Sequence, residues 1–93
     1  MHWTWDPAKA AANLEKHGIS FEAAVLVFDD PMQTSSPDPH PDEDRWRTIG
    51  RVNISTLFVV HTQIDEGVGG RVISARKATP SERRLYEQGY FQP

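Results

Sequence analysis

The stretch RVISARKATPSERRLYE, residues 71 to 87, holds the side chains best suited to gripping an anion. Between Arg71 and Arg84 there are five basic residues and a single acid, Glu82. Arg76 and Lys77 close an alternating run, and a helix start follows at once at Thr79-Pro80. A helix N-terminus carries unsatisfied N–H groups and a partial positive charge, so beside Arg and Lys it favours a phosphate. Arg83 lies about one turn into that helix, and Tyr86 one turn further on. Strict alternation puts Val72, Ser74 and Arg76 on one face of the strand and Arg71, Ile73, Ala75 and Lys77 on the other. Arg45, Arg47 or Arg51 of an earlier strand can then join Arg76 on its face. Two readings compete: a phosphate-binding face, or a solvated charged face that offsets acids elsewhere.

His61 interrupts the apolar run LFVVHTQ. Histidine titrates near neutral pH and can serve as general acid or base. The competing reading is a core histidine satisfied by a hydrogen bond. His17, between Lys16 and Gly18, ends a helix, where the dipole favours a cation. His2 and His40 fall in no such pattern. No two histidines stand three or four residues apart, and the acids from Asp38 to Asp44 sit in a Pro-rich segment without an EF-hand glycine, so no metal site is expected. No glycine-rich phosphate loop or nucleophile elbow is present, and no cofactor is expected. Trp3, Trp5 and Trp46 can stack on bases, but core packing is the favoured reading.

These groups need a scaffold, and the bulk numbers bound it. The chain has 93 residues, a formal net charge of −3 and no cysteine. That length suits one domain, spanning 1 to 93, with a thin stability margin. Without cysteine, neither disulfides nor zinc–thiolate sites are available. No apolar run approaches the ~20 residues of a membrane span, and the N-terminus lacks a secretory pattern, so a cytoplasmic protein is expected. The charge is segregated: six acids and no Lys or Arg lie from Asp29 to Asp44, then three Arg and no acid from Arg45 to Arg51. Segregation makes a local positive face on an acidic body.

HWTW reads as a short N-terminal strand. Asp6 is an N-cap with Pro7 at the first helical position, and Gly18 ends that helix. Ser20 caps a short buried helix over FEAAVLVF, which DDP stops. Residues 29 to 44, with four prolines, read as a loop. RWRTIGRV (45–52), STLFVVHTQ (55–63) and RVISAR (71–76) read as strands, with Asn53-Ile54-Ser55 linking the first two and EGVGG (66–70) a turn. Thr79-Pro80-Ser81-Glu82 is a capping box that opens the last helix, which runs to Gly89. The expected fold is α+β: a three-stranded antiparallel meander plus the short N-terminal strand, with helices on one face.

At this point the chain resembles the BrnT family of type II toxins. The stretches that carry the resemblance are WDPAKAAANLEKHGISFEAAVLVFDDP, EDRWRTIGRV, LFVVHT and RVISARKATPSERRLYE, within residues 3 to 87. The resemblance implies a RelE-like ribonuclease fold and an RNase that slows translation by cutting RNA. It implies a BrnA-like ribbon-helix-helix antitoxin, through which alone DNA is contacted. It raises Arg76 as the phosphate-binding residue and His61 as the proton-transfer residue. Lys77 and His17 join them as catalytic candidates, with Lys16, Arg45, Arg83 and Tyr86 for substrate binding. Segment 31 to 44 and the tail from Gly89 to Pro93 lie outside the motif. A partner-binding module that has lost its cutting power shares these features. A direct DNA binder is disfavoured by the acidic pI.

Overall fold

The computed structural model describes residues 2–39, 44–62 and 69–89. Helix α1 runs Pro7–His17, started by the Asp6 carboxylate, which accepts from the N–H groups of Ala8 and Lys9, and ended by Gly18 at φ 72°. That left-handed conformation costs a Cβ-bearing residue energy but not glycine, which is why the helix stops there. Helix α2 (Phe21–Ala24) starts at Ser20, whose hydroxyl accepts from Ala23 N–H, and tightens into a 3₁₀ turn over Val25–Asp29. Strands β1 (Thr34–Asp38), β2 (Arg45–Val52), β3 (Ser55–Thr62) and β4 (Val72–Lys77) precede helix α3 (Pro80–Gln88). The Thr79–Glu82 capping box is formed as expected.

The four strands form one antiparallel sheet in the order β1-β2-β3-β4. Its fourth strand is β1, from the segment expected to be a loop. Thr34 to Asp38 pair with Ile49 to Arg45, and Pro37 sits on the outermost strand, where a missing N–H is tolerated. The expected N-terminal strand reduces to a single bridge: Thr4 N–H donates to Gly70 O (3.0 Å) and Thr4 O accepts from Val72 N–H (2.9 Å). His40, Asp42, Glu43, most of the expected 66–70 turn and the tail beyond Gly89 lie outside the described residues.

One sheet face packs under α2 and the 3₁₀ turn, around Phe21, Ala24, Val27, Leu57, Val59, Val72 and Ala75. Trp3 stacks on Phe28 there with centroids 4.2 Å apart, and Trp5 meets Phe21 edge-on at 5.9 Å, as the core reading of these tryptophans expected. A bulge at Val60/His61 shifts the β3–β4 register. It brings Val72 and Ala75 to the same core face, where strict alternation had separated them. The second cluster, Ile49 and Ala78 with Phe58, Leu85 and Tyr86, seats α3 on the other face. The helices therefore flank both faces instead of one, because Ala78 and Thr79 carry the chain past the sheet end before α3 begins.

Two residues fit these layers together. Gly50 lies beneath the 3₁₀ turn: a Cβ there would come within 2.8 Å of Val27 Cβ. Asn13, buried in α1, donates to Ala75 O (2.9 Å) and Ile19 O (2.9 Å) and accepts from Ala75 N–H (3.1 Å). It thereby pairs the outer edge of β4, whose free N–H and C=O groups would otherwise be buried unmet.

Candidate functional site

Arg76 projects from the end of β4 onto the face that carries α3. Its guanidinium lies 4.2 Å from the Phe58 ring centroid. Nη1 donates to Glu82 Oε1 at 2.7 Å and Nη2 to Glu82 Oε2 at 2.9 Å. Glu82 Oε1 also accepts from Thr79 N–H at 2.9 Å. The anion site expected at this helix start is therefore filled by the protein's own carboxylate. The hydrogen bonds from Arg76 hold the Glu82 carboxyl below its ordinary range, against the opposing effect of burial. A guanidinium has five N–H donors in a planar fork. The two bonds to Glu82 use one edge, and the Nε–H and the second hydrogen of Nη2 form another edge with no protein acceptor among the described residues. The Arg76 side chain is 36% exposed.

By register, Arg45, Arg47, Ile49 and Arg51 of β2 share this face with Phe58, Val60, Ser74 and Arg76. Arg47 Nε donates to Ser36 Oγ at 3.2 Å, and its Nη1 lies 4.0 Å from Asp38 Oδ1. Arg45 pairs with Thr62 at the far end of the sheet, four positions from Ile49 and so about 13 Å along the strand. Arg51 sits at the near end, beyond Ile49.

Behind α3, Tyr86 donates its phenol hydrogen to Asp30 Oδ2 at 2.6 Å. Asp30 also accepts from Arg51 N–H and Met32 N–H, each at 2.8 Å. Burial raises the Asp30 carboxyl, but Tyr86, the two backbone donors and the Arg51 charge together hold it below its ordinary value. Burial and the Asp30 bond push the Tyr86 phenol up, so it keeps its proton at neutral pH. A cleft of about 520 Å³ opens beside this pair, lined also by Leu26, Pro31 and Asn53. Asp30 was absent from the sequence candidates; its signal is the DDP helix stop, which makes it a turn residue with carboxylate oxygens free to accept.

His61 lies in the core at 2% exposure. Trp3 and Phe28 enclose it edge-on, with centroids 5.4 and 5.0 Å away. Its Nδ1 donates to Thr62 O at 2.7 Å, since a carbonyl can only accept. Nε2 of the neutral ring then accepts from the Thr48 hydroxyl at 2.7 Å, and Thr48 in turn accepts from Ser35 at 2.7 Å. Burial lowers the His61 pKa, partly offset by the Thr62 bond. The expectation of proton transfer thus meets a neutral ring with no accessible nitrogen, which ties β1, β2 and β3 together. Lys16 and His17 are exposed at the end of α1, and among the described residues no contact joins them to Arg76.

Lys77 and Arg83 face a different recess from Arg76, together with Arg51. Among the described residues no three His, Cys, Asp or Glu side chains gather where a metal ion could be held. No helix among them is long and apolar enough to cross a membrane.

A family described as "Ribonuclease toxin, BrnT, of type II toxin-antitoxin system" matches residues 5–82. Among solved structures, the ribonuclease toxin BrnT of Brucella abortus is similar, with 27% identity and a TM-score of 0.62 over 85% of this chain and 99% of that one. No curated protein matches.

Proposed function

The chain belongs to the family of BrnT ribonuclease toxins of type II toxin–antitoxin systems, and from that premise we propose that it cuts RNA without a metal ion, with Arg76 on the scissile phosphate. In such a reaction the 2′-oxygen attacks phosphorus as its proton is removed. The 5′-oxygen leaves and takes up a proton, and the products are a 2′,3′-cyclic phosphate and a 5′-hydroxyl. Charge builds on the phosphorane oxygens, so preorganised donors at that point matter most, each worth ~10²–10³ in rate.

One observation carries this reading: Arg76 lies over the Phe58 ring and is gripped by Glu82, with a two-donor edge left for an oxyanion. A guanidinium fork matches a phosphate bidentately. Glu82 acts through Arg76 and is a positioning residue. Tyr86, whose hydrogen is committed to Asp30, has only acceptor capacity left and suits orienting a substrate hydroxyl. Of the two histidines among the catalytic candidates, His61 was expected to move the proton and is buried, whereas His17 is exposed, so His17→Ala is the variant that tests proton transfer at the surface.

In this reading the cut RNA slows translation in the cytoplasm. A ribbon-helix-helix antitoxin neutralises the chain and supplies the contact to DNA. The test is purified protein with RNA in EDTA, mapping the new ends. Cyclic phosphate ends support the reading. Intact RNA from soluble, folded protein overturns it in favour of a partner-binding module. Expressed alone in bacteria, the chain should arrest growth, and Arg76→Ala should relieve the arrest.

A further inference from the structure

Arg51, Lys77 and Arg83 come from β2, β4 and α3, yet they line one recess of about 390 Å³ beside the β2–β3 turn. Register explains the meeting. Arg51 pairs with Thr56, and the next residue, Leu57, pairs with Lys77. Ala78 N–H donates to Thr56 O at 2.9 Å, which brings the start of α3, and so Arg83, to the same end of the sheet.

All three cations are exposed. Among the described residues none of them forms an ion pair, whereas Arg47 and Arg76 each face a carboxylate. The acids that face the recess are Glu87 on its wall and Asp30 in the adjoining cleft beside Arg51. Positive charge is in excess, and an anion placed there relieves the mutual repulsion. Arg51 shares the Arg76 face by register, whereas Lys77, next to Arg76 in β4, projects to the opposite one, so the recess wraps around the end of the sheet. Arg76 does not line it, and two cationic sites therefore flank the first turn of α3, one around Arg76 and one in this recess.

We propose that the recess is a second phosphate subsite, which takes a backbone phosphodiester flanking the one that Arg76 holds. The choice of RNA rests on the ribonuclease reading above. A ligand that fills two separate cationic sites on either side of one helix start must carry negative charge at repeated intervals along a chain. A polynucleotide does so at every residue.

The experiment measures binding of a fluorescent, non-cleavable 2′-O-methyl hexanucleotide by anisotropy across a salt series. Wild type is compared with Arg51→Ala, Lys77→Ala and Arg83→Ala, each first shown to melt with wild type. A variant that does not is replaced by its Met counterpart, which keeps the aliphatic stem. For single strands log K falls with log salt by about 0.7 per phosphate contacted. Loss of one contact should flatten the slope by about 0.7 and weaken binding about fivefold at 0.1 M salt. Arg76→Ala should add its own loss independently. Equal affinity and slope for wild type and all three variants overturns the subsite. Inorganic phosphate that competes with the oligonucleotide in wild type, but less well in the variants, places a single phosphate in the recess and supports it. An Asp/Glu-rich peptide whose binding the variants lose, while oligonucleotide binding is unchanged, overturns the assignment to RNA in favour of an acidic protein. Binding that behaves as expected while unmodified RNA stays uncut refutes the ribonuclease reading and leaves the subsite standing.

Discussion

Asn13 is a buried polar residue whose loss the structure makes expensive. Its side chain meets three backbone groups: Ala75 N–H, Ala75 C=O and Ile19 C=O. Ala75 is 0% exposed, so in Asn13→Ala both of its groups lose their partner out of reach of water. Each buried group left unmet costs about 1–3 kcal/mol. The Ile19 carbonyl is part-buried and can turn to water, so it adds little. For the two Ala75 groups the expected loss is about 2–6 kcal/mol, a large share of the ~5–15 kcal/mol that holds a domain folded. At about 4–8 °C per kcal/mol for a domain of this size, Tm should drop by at least about 10 °C. Asn13→Asp should be at least as harmful, because it keeps the acceptor for Ala75 N–H but sets a carboxylate oxygen against two carbonyls. Urea unfolding with an unchanged m-value is the assay, with RNA cleavage per folded molecule measured well below both transitions. An Asn13→Ala loss under 1 kcal/mol, or an Asn13→Asp protein as stable as wild type, refutes the edge-latch argument. Full stability with lost cleavage would move Asn13 from scaffold to substrate contact.

Four further outcomes are expected. Gly50→Ala should destabilise by about 1–3 kcal/mol, read by thermal melting, because the new Cβ would press within 2.8 Å of Val27 Cβ and 3.0 Å of its carbonyl oxygen. His61 is held neutral by burial, so its folded pKa lies below the ordinary 6.5, and its contribution to stability, whole above that value, is lost as pH falls through the folded pKa. His61→Phe should flatten stability against pH in that window. The hydrogen bonds from Arg76 put the Glu82 carboxyl below its ordinary 4.5, so its contribution is whole above that value and fades as pH falls through the folded pKa. Glu82→Gln should remove that acid sensitivity in a pH series of melts. It should also lower cleavage less than Arg76→Ala, which should reduce the rate about 10²–10³-fold in a single-turnover assay. Arg76→Lys should recover only part, since an ammonium lacks the fork.

What lay within a few residues was legible without coordinates. Asp6, Ser20 and Thr79 announced their helices because a cap is a contact between a side chain and N–H groups two or three positions away. Gly18 and Gly89 closed two of them for a backbone reason carried by glycine itself. The meander and the cationic character of the β4–α3 junction followed from alternation and composition. The family resemblance added toxin and ribonuclease, and the match over residues 5–82 agrees.

Partner choice across the chain was not legible, because it depends on register and layer order. Thr34–Asp38 has weak strand propensity and a proline, yet the open edge of β2 supplies its partners, and that edge exists only once the sheet forms. His61 looked reactive in a linear view; Trp3, Phe28 and Thr48, none within ten positions, enclose it. Arg51 met Lys77 and Arg83 by counting across two hairpins, one of them bulged. Local hydrogen bonding and backbone sterics thus determined from sequence alone where the helices begin and end and what charge gathers at the last one. Only the packed structure decided which arginines are already held by carboxylates and which still face solvent, since that rests on distances between residues far apart in the chain.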